Sequence, residues 1–203
     1  MDTTPPARTA RLPLLTLLLG GLAAIASLSP ALACALQFDR TLIASGQIWR
    51  LFTGHFAHWT ASHLAWDLAA FTLLGILLER RSRPLLAATL AASSLSISGA
   101  VVALQPEPAT YRGLSGIDCA LFAAFAMRSL ADARAVGRRL HLLLSALALF
   151  GLLAKLAAEH IRSAPLFVAP SSDFLPVPLA HLTGALAGLA VAACTALPKH
   201  RRR

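Results

Sequence analysis

Six stretches of this sequence are apolar for long enough to cross a lipid bilayer as helices, and little chain is left over for anything else. They run over residues 12–36, 60–78, 84–104, 113–130, 140–158 and 178–197. A spanning helix needs about 20 predominantly apolar residues, because backbone in hydrocarbon must satisfy its own hydrogen bonds. Composition agrees. Of the 203 residues, 57% belong to the AVILMFWYC set and only 13% are charged, against about 25% charged in a soluble domain. Too few polar side chains remain to cover a water-facing surface, which excludes a disordered chain and a soluble globule. Cys34, Cys119 and Cys194 all lie in apolar runs, and their odd number argues against a disulfide framework.

The formal charge of +9 is explained by where the cations sit. Arg8 and Arg11 precede the first stretch. Arg80, Arg81 and Arg83 follow the second, Arg128, Arg134, Arg138 and Arg139 the fourth, and Lys199, Arg201, Arg202 and Arg203 the last. The alternate loops hold only Arg40, Arg50, Arg112 and Arg162. By the positive-inside rule both termini are expected in the cytoplasm, with the first, third and fifth loops outside. The charge therefore implies no nucleic-acid partner. The start, Arg8 and Arg11 before an apolar run and Ser-Pro-Ala-Leu-Ala-Cys34, also looks like a signal peptide with a lipobox-like cysteine. Its run of about 25 residues is long for that, since such cores span about 7–15, and removing it would leave five spans.

Ionisable residues inside a span are costly and mark candidate functional sites. Here they are His63, Asp67, Asp118, Lys155 and His181, joined by the hydroxyl of Ser115. Lys155, near a helix end, is expected to snorkel. His63 and Asp67 are four residues apart and share a helix face. His181, Gly184 and Gly188 form one stripe, and Gly184-Ala-Leu-Ala-Gly188 lets a neighbouring backbone approach closely. Gly113-Leu-Ser115-Gly116 opens the fourth span. A serine at a helix start facing a histidine on a closely packed partner suits nucleophilic catalysis, with the free N–H groups of the helix start available to an oxyanion. Each piece has a plainer reading: Gly and Ser are ordinary at membrane helix interfaces, and a buried histidine often bonds a carbonyl. A metal site from His55, His58, His63 and Asp67 is conceivable, but His-Glu-x-x-His is missing and no metal or other cofactor is expected.

Taken in order, these elements resemble the rhomboid family of intramembrane serine proteases. The likeness runs from Trp49 to Gly188: Trp49-Arg50 in the first outer loop, His58, His63 and position 67, then Gly113-Leu-Ser115-Gly116, then His181-Leu-Thr-Gly184-Ala-Leu-Ala-Gly188. The resemblance implies an all-α, six-helix membrane bundle over residues 12–197, with a cytoplasmic tail at 1–11 and a basic one at 198–203. It also implies a Ser115–His181 dyad without a third acid, Gly113 and Gly116 beside it, and an oxyanion site using the Ser115 N–H, His63 and residue 67. Thr53-Gly-His-Phe-Ala-His-Trp59 and the compact size resemble the rhombosortase branch, which implies a bacterial inner-membrane protein. Its substrates would be membrane-anchored proteins carrying a carboxyl-terminal Gly-Gly, apolar helix and basic end.

Two residues depart from the family pattern. Asn usually stands at position 67; an ionised Asp67 can only accept hydrogen bonds, whereas a protonated one could donate to an oxyanion. Alternatively Asp67 orients His63. Asp118 sits one turn after Ser115, where an apolar residue or histidine is expected. Both departures leave open an inactive rhomboid-like protein that binds transmembrane helices. A small transporter with a buried proton relay is a third reading, but the two halves of the chain show no inverted symmetry. Nothing in the sequence bears on oligomeric state.

Overall fold

The computed structural model describes residues 12–106, 109–162 and 177–196. The tails expected at 1–11 and 198–203, and Pro165, Pro170 and Pro176 of the fifth loop, lie outside these residues. Helices α1 (Leu14–Ala26) and α2 (Pro30–Leu36) lead into a two-residue strand β1 (Phe38–Asp39), then the short helices α3 (Arg40–Ala44) and α4 (Arg50–Thr53) and a 3-10 turn (Gly54–Phe56). Then come α5 (Ala61–Arg81), α6 (Arg83–Leu104), β2 (Thr110–Tyr111), α7 (Ser115–Val136), α8 (Arg139–Arg162) and α9 (Pro178–Ala196).

Each of the six apolar stretches holds a helix, but they are not six equivalent spans. Among the described residues, α5, α6, α8 and the Pro178–Thr195 part of α9 are long and apolar enough to cross a membrane alone. The first stretch, expected as one span, is broken: α1 and α2 meet at 119°. Pro30 cannot donate the backbone hydrogen bond that would continue α1, and the residue before a proline is driven to extended backbone, as Ser29 is at φ −131°. The fourth stretch, α7, carries Asp118, Arg128, Asp132 and Arg134 and falls short of the same apolarity. It has less need of it. Ile117, Ala120, Leu121, Ala123 and Ala124 are fully buried, because α5, α6, α8 and α9 all pack against this helix. Apolar side chains instead face outward from the periphery, as Leu143, Leu147, Phe150 and Leu153 do on α8. The protein is an all-α membrane protein with four or five candidate spans among the described residues.

Local sequence sets the helix ends. Thr60 Oγ1 accepts the His63 N–H at the start of α5, and Ser82 Oγ accepts the Leu85 N–H at the start of α6. Gly137, at φ +71°, closes α7 in the left-handed conformation that glycine adopts without penalty. At the same end of the molecule Arg81 pairs with Asp132, and Arg83 with Glu79 at 3.0 Å. Glu79 in turn accepts the N–H groups of Leu15 and Thr16, tying α1 to α5. At the opposite end, β1 and β2 pair antiparallel with Phe38 across from Tyr111, which fixes the segment leading into Ser115.

A serine, a histidine and two carboxylates meet at the start of α7

Ser115 is the first residue of α7, and the chain reaches it through Gly113 at φ +130°. Glycine is required there twice over. The positive φ is poor for other residues, and a Cβ would lie 2.9 Å from His63 Nε2 and 3.3 Å from Asp67 Oδ2. From α5, Asp67 Oδ2 accepts the backbone N–H groups of Leu114 (2.9 Å) and Ser115 (3.0 Å). Its carboxylate thus satisfies donors that a helix start leaves unpaired. The same oxygen lies 3.2 Å from His63 Nε2 and 3.3 Å from His58 Nε2. Of the two expectations for Asp67, donor to an oxyanion or partner to His63, these contacts are of the second kind, because every neighbour of Oδ2 is a nitrogen that can offer it a proton.

On the other side of Ser115 stands His181, in the first turn of α9. Its Nε2 is 2.8 Å from Ser115 Oγ. Glycines set this approach: a Cβ on Gly184 would run into the Gly116 carbonyl, and one on Gly188 into the Ala120 carbonyl. Gly116 is confined in the same way, its Cβ position being 2.9 Å from the Ala180 carbonyl oxygen. The backbones of α7 and α9 therefore touch directly along the His181 stripe.

The other ring nitrogen of His181 is not free. Glu159 Oε2, from α8, is 2.8 Å from Nδ1, and Lys155 Nζ is 2.8 Å from the same carboxylate oxygen and 3.3 Å from Nδ1. A carboxylate thus stands beside His181 where the resemblance implies none. Lys155 does not snorkel outward; it turns inward because Glu159, buried to 2% exposure, offers it a countercharge. Glu159 lies one residue beyond the apolar stretch that ends at 158, so apolarity alone does not place it within the membrane. The legible signal was Lys155 and Glu159 at a spacing of four, one helix face carrying opposite charges.

These groups edge a cavity of about 460 Å³ between α5, α7 and α8, whose walls include Trp66, Leu74, Phe122 and Leu152. Asp118 also lines it, 8% exposed, and its Oδ1 has no hydrogen-bond partner among the described residues. His55 points elsewhere: its Nε2 lies 3.3 Å from the Ser94 carbonyl and 3.1 Å from Ser98 Oγ. Burial holds its pKa down at about 4, so the ring is neutral. Arg50 is buried and bonds the carbonyls of Cys34 (2.9 Å) and Gln37 (2.8 Å), while Arg112 lies 4.1 Å over the Trp59 ring. Both brace the loop around the site. Among the described residues no group of three or more His, Cys, Asp or Glu side chains is arranged to hold a metal ion.

Chemically, the arrangement places a hydroxyl where an imidazole nitrogen can take its proton, at the rim of an apolar-walled cavity. Residues 45–198 match the family model of the Rhomboid domain. No curated protein is similar enough to the chain to count as a match.

Proposed function

The chain belongs to the rhomboid family of intramembrane proteases, and from that premise we propose that it is an active serine endopeptidase with Ser115 as nucleophile and His181 as general base. The observation that carries this reading is the 2.8 Å approach of His181 Nε2 to Ser115 Oγ beside the cavity. Ser115 Oγ attacks the scissile carbonyl and gives its proton to His181 Nε2. The protonated ring passes that proton to the departing amine, leaving an acyl-enzyme. Water, deprotonated by the same nitrogen, then releases the new carboxyl end and restores Ser115.

The substrates in this reading are membrane-anchored proteins, and the likeness to the rhombosortase branch favours a carboxyl-terminal Gly-Gly, apolar helix and basic tail. In this reading the six apolar stretches make six crossings, the cation distribution puts both termini in the cytoplasm with Ser115 near the outer face, and the rhombosortase likeness favours a bacterial inner membrane. The second reading, an inactive protein that binds transmembrane helices, is favoured by one contact: Asp67 occupies the Ser115 N–H, a group an oxyanion would need.

The test is a fluorophosphonate probe on the purified protein. Labelling that disappears in Ser115→Ala and falls steeply in His181→Ala supports the protease. A folded wild-type protein that takes no label supports the binding protein instead.

A further inference from the structure

We propose that Glu159 is a positioning residue that completes a Ser115–His181–Glu159 triad; the proposal rests on the protease reading above. A neutral imidazole carries one N–H and one lone pair, and the hydrogen bond at one nitrogen decides which is which. If Nδ1 carries the proton, Nε2 has the lone pair that Ser115 needs. If Nε2 carries it, His181 cannot act as a base. Two groups compete for Nδ1. Glu159 Oε2, 2.8 Å away, can only accept and so selects the Nδ1–H form. Lys155 Nζ, 3.3 Å away, can only donate and would select the other.

Distance favours the carboxylate, and Lys155 is already engaged with Glu159 at 2.8 Å. That contact directs one of its three N–H bonds to the carboxylate and balances a buried negative charge. Glu159 is buried, with 2% exposure, on the helix that also supplies Lys155. Its charge would further stabilise the imidazolium formed when His181 takes the serine proton, the role a carboxylate plays in soluble serine hydrolases. Among the described residues, the remaining ionisable groups lining the cavity with His181 are Asp118 and Cys119 on α7, and His63 and Asp67 on α5. Among these, Asp67 is turned toward the Leu114 and Ser115 N–H groups and toward His58 and His63.

The experiment measures the rate of Ser115 labelling by a fluorophosphonate probe from pH 5 to 9, in wild type, Glu159→Gln, Glu159→Asp and Ser115→Ala. Glu159→Gln should label about 100- to 10,000-fold more slowly, the range in which a misplaced general base acts. Its acid limb should be displaced from that of wild type, because the variant removes a buried negative charge 2.8 Å from the imidazole. Glu159→Asp keeps the charge at shorter reach, so its limb should stay near that of wild type even if the rate falls. A purely structural role would lower the labelled amount without moving the limb. Ser115-dependent labelling with a wild-type rate and limb in Glu159→Gln overturns the triad alone. Should the glutamine variant not fold, a Glu159→Asp limb displaced from that of wild type overturns it too. Equal labelling of Ser115→Ala removes the protease reading, and the triad with it.

Discussion

Asp67 Oδ2 lies 3.0 Å from the backbone nitrogen of Ser115, so one carboxylate both caps α7 and occupies the donor nearest the hydroxyl. Capping and catalysis make different demands on it. As a cap, it satisfies the buried Leu114 N–H and the partly buried Ser115 N–H; as a neighbour of a developing oxyanion, its charge is repulsive.

Asp67→Asn should keep the cap through its carbonyl oxygen and relieve the repulsion, so the protein should stay folded and its turnover should equal or exceed that of wild type. Asp67→Ala leaves the Leu114 and Ser115 N–H groups without a partner, at a cost of about 1–3 kcal/mol for each buried group. Denaturant titration of both variants in detergent, beside probe labelling, checks the pair. A turnover for Asp67→Asn well below wild type would show that the charge itself is needed.

Gly184→Ala adds a single methyl group where the Gly116 carbonyl already stands. Helices α7 and α9 must part to admit it, with overpacking costing about 1–3 kcal/mol. A displacement of His181 by about 1 Å can lower a rate about 100-fold. Gly188→Ala should act the same way against the Ala120 carbonyl. Labelling and thermal stability should fall together in both variants; wild-type values would mean the seam is looser than this packing.

His55 is neutral when folded, its pKa held at about 4 against 6.5 when exposed. Because the unfolded chain takes up the proton first, stability should fall as pH drops from about 6.5 to about 4 and level off below that. This limb is worth roughly 3 kcal/mol at about 1.4 kcal/mol per pH unit. His55→Gln can still donate to the Ser94 carbonyl but cannot titrate, so it should flatten the wild-type limb. Denaturation midpoints between pH 4 and 7 read the difference; an unchanged limb would assign the acid sensitivity to another group.

Reporter fusions after Leu104 and after Arg138 should lie on opposite sides of the membrane, because α7 separates them. Alkaline phosphatase activity for the first and a cytoplasmic reporter signal for the second are expected from the cation distribution. Both reporters on one side would rule out α7 as a crossing.

The sequence by itself determined what is local or periodic. Apolar runs set the helices, and arginines concentrated in alternate loops set the expected orientation. Residues that share one helix could be placed on one face from spacing alone: His63 with Asp67, His181 with Gly184 and Gly188, and Gly113 ahead of Ser115. Contacts between helices were decided only by the tertiary structure, because a helix's rotation and register against its neighbours depend on all its packing partners at once. Glu159 reaches His181 from 22 positions away in the chain, and Asp67 reaches the Ser115 N–H from 48 away. The burial of α7 on all sides, which lets it carry charges at its ends, is likewise a property of the packed bundle, whereas the break at Ser29-Pro30 follows from the proline itself. Spacing along one strip of sequence names the groups that can do chemistry; the neighbouring helix decides which nitrogen of His181 holds the proton.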